Sequence, residues 1–313
     1  MSESAPKYVR DGKRSAIIFP KTPPRRPPAT TGGYRAALVA RPRPAGASVL
    51  ASPAVSGTQH DWNAASYHRI SNPHVEWGRR VLARLDLSGN ETVLDLGCGT
   101  GRLTAELAAR LPRGTVLALD RSPSMLAQAR GNLVPNVRLI RADALGLPFR
   151  RSADVLFSTA TLHWVLDQPA LYRSLHSAIR PGGRLHAQCG GRGNVDREYR
   201  RFQEIAARPE FAPDFVGLTD PWVFLGPEEA RGLLEAAGFA DIDAHLENVQ
   251  ARLENRDQYR EFTETIVFGT FLARVPDAAR RERILAILCD AAAGDDPPFT
   301  LDYVRLNLRA VAR

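Results

Sequence analysis

The clearest chemical spacing in the chain runs from Val93 to Gly101, Val-Leu-Asp-Leu-Gly-Cys-Gly-Thr-Gly. Gly97, Gly99 and Gly101 follow a short apolar stretch and precede an Ala/Leu-rich one. In that arrangement a backbone turns sharply out of a strand and lets a ligand approach closely. The spacing is G-x-G-x-G, not the G-x-G-x-x-G that cradles a pyrophosphate on a helix N-terminus; Arg102 stands where the third glycine of that fingerprint would fall. Asp95, two places before the first glycine, is an awkward neighbour for a phosphate and suits a ligand bearing an ammonium group. The bland alternative is a tight turn that holds no ligand.

Two further acids stand where a nucleoside would need them. Asp120 ends the next apolar stretch, 19 positions after Gly101, where a carboxylate accepts from ribose hydroxyls; by itself such an acid is more often a helix cap. Asp143, in Arg141-Ala142-Asp143-Ala144, is placed to accept from an adenine amine or to cap a loop. Later come His163 and Trp164. The indole N–H can donate to an acceptor carboxylate, and the imidazole can donate or act as a base. A core Trp beside a helix-capping His is the structural alternative. Arg256 and Arg260 are further candidates for pairing an acid, although solvated surface arginines are the simpler expectation.

Strands alternating with helices must position these residues. Thr92 to Leu96, Thr115 to Leu119, Val137 to Ile140, Asp154 to Ser158 and Arg184 to Gln188 read as buried strands. Helices are expected over 74–85, 101–111, 122–130 and 169–180; Ser122-Pro123 opens the third and Pro181-Gly182-Gly183 ends the fourth. This alternation predicts an α/β fold with a parallel sheet covered on both faces. Thr300 to Ala310 alternates in period two, with Leu301, Tyr303, Arg305, Asn307 and Arg309 on one face, and is expected to enter the sheet antiparallel. Residues 195–235 and 255–292 are mainly helical insertions suited to a lid. Within the second, Tyr259, Phe262, Ile266, Phe268 and Phe271 form an apolar stripe expected to be core, with part of it facing an apolar substrate.

The formal charge of +8 in 313 residues resides in a tail. Residues 1–58 carry ten Lys plus Arg against two acids, whereas residues 59–313 carry 32 of each sign. The tail's Pro/Arg-rich composition predicts disorder; an organelle leader, or a start read upstream of the real one, are the other readings. With a neutral body, nucleic acid is not the expected partner. Cys98, Cys189 and Cys289 are spaced neither as a disulfide framework nor as a zinc site, and no apolar run is long enough to span a bilayer. The expectation is a cytoplasmic protein without metal.

From residue 62 to about 190 the chain resembles class I S-adenosylmethionine-dependent methyltransferases, particularly the trans-aconitate methyltransferase-like group of small-molecule carboxyl methyltransferases. The resemblance is carried by residues 93–101, by Ala-Leu-Asp-Arg-Ser-Pro-Ser-Met-Leu at 118–126 and by Ala-Thr-Leu-His-Trp-Val at 160–165, with Leu-Asp-Tyr-Val-Arg-Leu-Asn at 301–307 similar to the group's last strand. It implies a Rossmann-like sheet in the order 3-2-1-4-5-7-6 with strand 7 antiparallel. It implies S-adenosylmethionine as cofactor, its methionine part surrounded by Asp95, Gly97 and Gly99, with Cys98 and Gly101 completing the turn. The ribose would lie on Asp120, the adenine near Met125, Asp143 and Ala144, and the sulfonium near Thr159 and Ala160; relatives often carry Asn in place of Thr159. Tyr67 resembles the aromatic that folds over the cofactor. His163, Trp164 and His74 would face the acceptor, His74 standing where related carboxyl methyltransferases often have Gln.

Direct displacement at a sulfonium methyl mainly needs alignment and exclusion of water. A carboxylate acceptor needs no base, whereas a hydroxyl or amine would call on His163. Two other classes stay open: a non-catalytic module that binds the cofactor, and a nicotinamide-dependent oxidoreductase sharing the fold.

Overall fold

Val93 and Leu94 are neighbours in sequence and both fully buried, which requires a strand covered on both faces. That strand, β2 (Thr92–Leu96), is central in an eight-stranded sheet. In chain order the other strands are β1 (Leu50–Ala51), β3 (Thr115–Asp120), β4 (Val137–Arg141), β5 (Ala153–Thr159), β6 (Ile179–Gly190), β7 (Phe239–Arg252) and β8 (Thr300–Ala312). The sheet order is β1-β4-β3-β2-β5-β6-β8-β7. Strands β1 to β6 run parallel, and β8 is antiparallel to both its neighbours. Without the two-residue β1 this is the expected order with an antiparallel seventh strand.

The computed structural model describes Leu50–Ala51 and residues 64–132 and 134–313, all within the unit Gly46–Arg313. Most of the expected tail, and Trp62, lie outside the described residues. Leu50–Ala51 departs from the expectation of a tail up to residue 58: it pairs in parallel with Ile140 and Arg141. The physical reason is that β4 would otherwise be the sheet edge, whose unpaired backbone groups template another strand.

Helices cover the sheet on both faces. On one side α2 (Asn72–Ala83), α3 (Arg102–Ala109) and α4 (Pro123–Ala129) bury Val81, Leu107 and Leu126 against Val93, Val116 and Phe157. On the other, α5 (Gln168–Ala178) and α7 (Pro227–Ala237) bury Leu171, Leu175 and Leu234 against Leu94, Leu156 and Leu308. Local chemistry sets the helix starts: Ser122 Oγ accepts from the Met125 N–H with Pro123 in the first turn, and Asp167 accepts from the Ala170 N–H.

A third cluster lies outside these layers. It unites α6 (Asp196–Ala206) with α8 (Arg256–Phe262), α9 (Gly269–Leu272) and α10 (Ala278–Ala293), through Phe202, Phe262, Phe268, Phe271 and Ile284. These helices fall in the two stretches expected to form a lid. Helix α7 does not belong with them: Ala230 and Leu234 sit in the sheet's own core, so this part of 195–235 is the crossover helix leading into β7. The long strand β7 exposes alternate residues, as an edge strand with one solvated face does.

Candidate active site

In the sheet, β2 pairs with β3 on one side and with β5 on the other, so the chain order reverses at β2. Ligands of open α/β sheets bind outside the carboxyl ends of the strands at such a switch point. A cavity of about 480 Å³ opens there.

The glycine turn forms its floor. Gly97 and Cys98 donate their backbone N–H groups to the Leu119 carbonyl at 2.7 and 2.9 Å, which ties the turn to the end of β3. Gly97 has φ +72°, and a Cβ there would lie 2.0 Å from Thr161 Oγ1. Gly99 has φ +54°, yet a Cβ there would meet nothing within 4 Å, because its open side faces the cavity. The backbone is therefore bare on the side where a ligand would lie. Asp120 Oδ2 accepts from the Gly99 N–H at 2.9 Å and Oδ1 from the Ser122 N–H at 2.9 Å. Burial raises this carboxyl above its ordinary range, opposed by those two hydrogen bonds. Met125, Asp143 and Ala144 line the same end, and Asp143 also caps a single helical turn by accepting from the Leu145 N–H at 2.9 Å. Thr159 and Ala160 line the cavity from the end of β5, Ala160 in the left-handed region at φ 54°.

Three residues of the expected cofactor set stand behind this wall. Asp95 is 3% exposed and accepts from Thr104 Oγ1 at 2.6 Å. Burial pushes its carboxyl up to about 7, against the pull of the Thr104 bond. The side chain of Cys98 packs against the apolar cluster under α3, and burial pushes its thiol well up. Gly101, at φ +79°, caps α3, where a Cβ would press on Ala129 at 3.2 Å. The direction in which a Cβ leaves the backbone, real at Asp95 and Cys98 and hypothetical at the glycines, separates these three from Gly99, which alone in the turn opens to free space.

The far end of the cavity holds His163, Trp164, His74 and Tyr67, the last on α1 (Ala64–Ile70). His163 does not cap a helix. Its Nδ1 accepts from the backbone N–H of Gly190 at 3.2 Å, so in the neutral ring the proton sits on Nε2. Burial holds its pKa well below the usual value, with Arg305 and His74 adding to the effect. Trp164 is half-buried on the cavity wall, edge-on to Trp222 at 5.6 Å. His74 lies among Tyr67, Trp77, Phe262 and Tyr303, and burial pushes its pKa down to about 3. Tyr67 feels charges from both ends of the cavity: burial raises its hydroxyl to about 12, with Arg305 pulling it down and Asp120 pushing it up.

Arg305 is the residue that sequence reasoning missed. It is 2% exposed, lines the cavity and forms no ion pair among the described residues, and its Nε has no hydrogen-bond partner. Its guanidinium lies 5.2 Å from the Trp77 ring and 5.8 Å from the Tyr303 ring, and burial lowers its pKa. The signal was present in the alternation of β8, which puts a cation on the same face as Leu301 and Tyr303. Arg256 and Arg260, the arginines considered from sequence, pair instead with Asp290 and with Glu264 and Glu282 on the surface of the α8–α10 helices.

Comparisons with known proteins agree with this geometry. Residues 93–183 match the family described as methyltransferase domain. The trans-aconitate 2-methyltransferase of Deinococcus radiodurans is 34% identical over 227 residues, covering 70% of this chain and 86% of that protein. The chain belongs to the class I S-adenosylmethionine-dependent methyltransferases, in the trans-aconitate methyltransferase-like group. An uncharacterised methyltransferase of Schizosaccharomyces pombe is 32% identical to this methyltransferase over 264 residues, covering 80% of this chain and 97% of the other. In fold, the methyltransferase is similar to Haemonchus contortus phosphoethanolamine N-methyltransferase 2, with a TM-score of 0.52 at 18% identity over 80% of this chain and 56% of that one. S-adenosylmethionine is thus its cofactor, and the glycine turn, bare toward the cavity and flanked by Asp120 and Asp143, fits that group. No helix among the described residues is long and apolar enough to cross a membrane.

Proposed function

We propose that this methyltransferase transfers a methyl group to a carboxylate oxygen of a small-molecule acid, and that Arg305 receives that carboxylate. The observation that carries the proposal is the buried guanidinium itself. A desolvated cation whose cross-strand neighbour Glu247 acts on it without forming an ion pair, and whose Nε has no partner, is costly to bury, and an anionic ligand in the cavity supplies the partner. The neighbouring Nε2–H of His163 gives a second, neutral donor for the same carboxylate. The relatives named trans-aconitate 2-methyltransferase support an acid as acceptor.

In this reading Gly97 and Gly99 lie under the methionine part of the cofactor, Asp120 accepts from the ribose, and Asp143 accepts from the adenine amine beside Met125 and Ala144. Thr159 and Ala160 border the reacting end, with Tyr67 closing over it. The bound cofactor supplies a methyl group on a sulfonium, which is a good leaving group. The chain's own residues align the nucleophile and exclude water. A carboxylate is already ionised at neutral pH, so no base is required.

The state of His163 also favours a carboxylate over a hydroxyl acceptor. Its Nδ1 is engaged by Gly190 and its Nε2 carries the proton, so the ring presents a donor to the cavity and no free lone pair. The test is a screen of carboxylic acids, phenols and amines with methyl-labelled cofactor. Methyl esters, recognised by release of labelled methanol in base, are the expected products. Base-stable label on phenols or amines alone rejects the proposal.

A further inference from the structure

We infer that the acceptor is an amphipathic monocarboxylic acid, a single carboxylate on an apolar or aromatic body, rather than a polycarboxylate. This rests on the carboxylate reading above and adds the nature of the rest of the molecule.

Charge comes first. Among the described residues only two cations line the cavity, Arg121 and Arg305. Arg121 directly follows Asp120 at the end of β3 and pulls on that carboxylate, so it belongs to the nucleoside end. Arg305 is left as the one positive charge for the acceptor among the described residues. The two histidines add none, since both are buried among apolar neighbours that keep their rings neutral. Of the acids lining the cavity, Asp120 and Asp143 belong with Arg121 to the nucleoside end, and Asp167 offers a further anion no counter-charge. A second or third carboxylate would be buried without a counter-charge.

Apart from neutral polar groups such as Asn194 and Thr270, much of the rest of the wall is apolar or aromatic. Trp222 stacks on Phe224 at 5.3 Å and meets Trp164 edge-on, which makes a continuous aromatic surface beside His163. Ile266 and Val267 reach the cavity from a π-helical turn (Thr263–Val267) of the lid. Such an irregular turn offsets the helix by one residue and is frequent at functional sites. Past Trp164, Leu166 lines the mouth while 53% exposed, an apolar rim that a ligand's tail would cover. The segment Trp222–Phe224 is pinned in place by the Val223 N–H donating to the His163 carbonyl at 2.8 Å, so this surface is fixed relative to the donor.

The experiment compares acids of both kinds on the wild-type full chain: butanoate, hexanoate, octanoate and 3-phenylpropanoate against the tricarboxylate trans-aconitate. The readouts are kcat/KM with S-adenosylmethionine and calorimetric affinity with S-adenosylhomocysteine bound. We expect kcat/KM to rise about three- to fourfold per methylene along the straight-chain series. The apolar acids should exceed trans-aconitate at least tenfold. Equal or better turnover of trans-aconitate, or no dependence on chain length, overturns this inference and leaves the carboxylate reading standing. Binding of none of the acids, or methylation of phenols and amines instead, overturns both.

Discussion

The Nδ1 atom of His163 accepts a hydrogen bond from the backbone N–H of Gly190 at 3.2 Å, and this single contact decides what the imidazole can do. Gly190 ends β6, and a Cβ there would lie 2.5 Å from the Phe224 ring, so only glycine lets strand, imidazole and this aromatic ring meet.

His163 is therefore expected to act as a hydrogen-bond donor, and a glutamine can reproduce that role with one amide group accepting and donating. His163→Gln should keep kcat within about tenfold of wild type, whereas His163→Ala should lose about 10- to 100-fold, a neutral hydrogen bond to a charged group contributing about 1.5–3 kcal/mol. Steady-state kinetics with a carboxylic acid acceptor checks this. If Gln were as inactive as Ala, the donor role would be wrong.

Arg305 should show opposite effects on stability and activity. Replacing an unpaired buried guanidinium by an apolar side chain removes its desolvation penalty, offset by loss of the contacts to Trp77 and Tyr303. We expect Arg305→Leu to leave the melting temperature of the ligand-free protein unchanged or raised. Its kcat/KM for an acid should fall at least about 30-fold, the loss of a buried charge pair costing about 2–5 kcal/mol. A sharply lowered melting temperature would mark Arg305 as structural.

Gly97 and Gly99 sit two residues apart with different surroundings, and alanine should separate them. At Gly97 the new Cβ collides with Thr161, so Gly97→Ala should destabilise the fold by about 2 kcal/mol or more. At Gly99 the Cβ enters open space, so Gly99→Ala should cost about 1–2 kcal/mol for its left-handed backbone. Cofactor affinity should nevertheless fall in Gly99→Ala, because the methyl occupies the ligand's side of the turn. Denaturant melts and calorimetry on both variants read the two effects; normal cofactor binding by Gly99→Ala contradicts the cradle.

The carboxyl of Asp95 is raised by burial from its ordinary value to about 7. A raised acid stabilises the fold fully below the unfolded value near 4, and that contribution is lost as the pH rises through about 7. Wild-type stability should therefore carry a component that falls by about 1.4 kcal/mol per pH unit between pH 4 and 7. Asp95→Asn keeps an acceptor for Thr104 and does not titrate, so its stability relative to wild type should improve as the pH is raised from 5 to 8. Parallel urea titrations of the ligand-free proteins measure the difference, and a constant offset across that range would show that Asp95 ionises normally in the fold.

Much of this protein was legible in the residue order because its signals are local. The G-x-G-x-G turn, the apolar runs of β2 to β6 and the Ser122-Pro123 helix start depend on backbone sterics and on burial patterns within a few residues. The alternation of β8 also announced a strand, whereas the start of β7 was hidden because Asp241, Asp243 and other polar residues face solvent along an edge.

What only the tertiary structure decided concerns side chains whose partners are far away in sequence. Asp95 and Gly99 lie four residues apart in one motif, yet the turn sends one toward Thr104 and opens the other to the cavity. The tautomer of His163 depends on Gly190, 27 residues away, and the lack of an ion pair to Arg305 among the described residues depends on where the acids of distant elements end up, Glu247 of β7 included. The residue order encodes local conformation and the faces of the elements; the electrostatic state of a buried group depends on everything the fold brings around it, which no window of sequence contains.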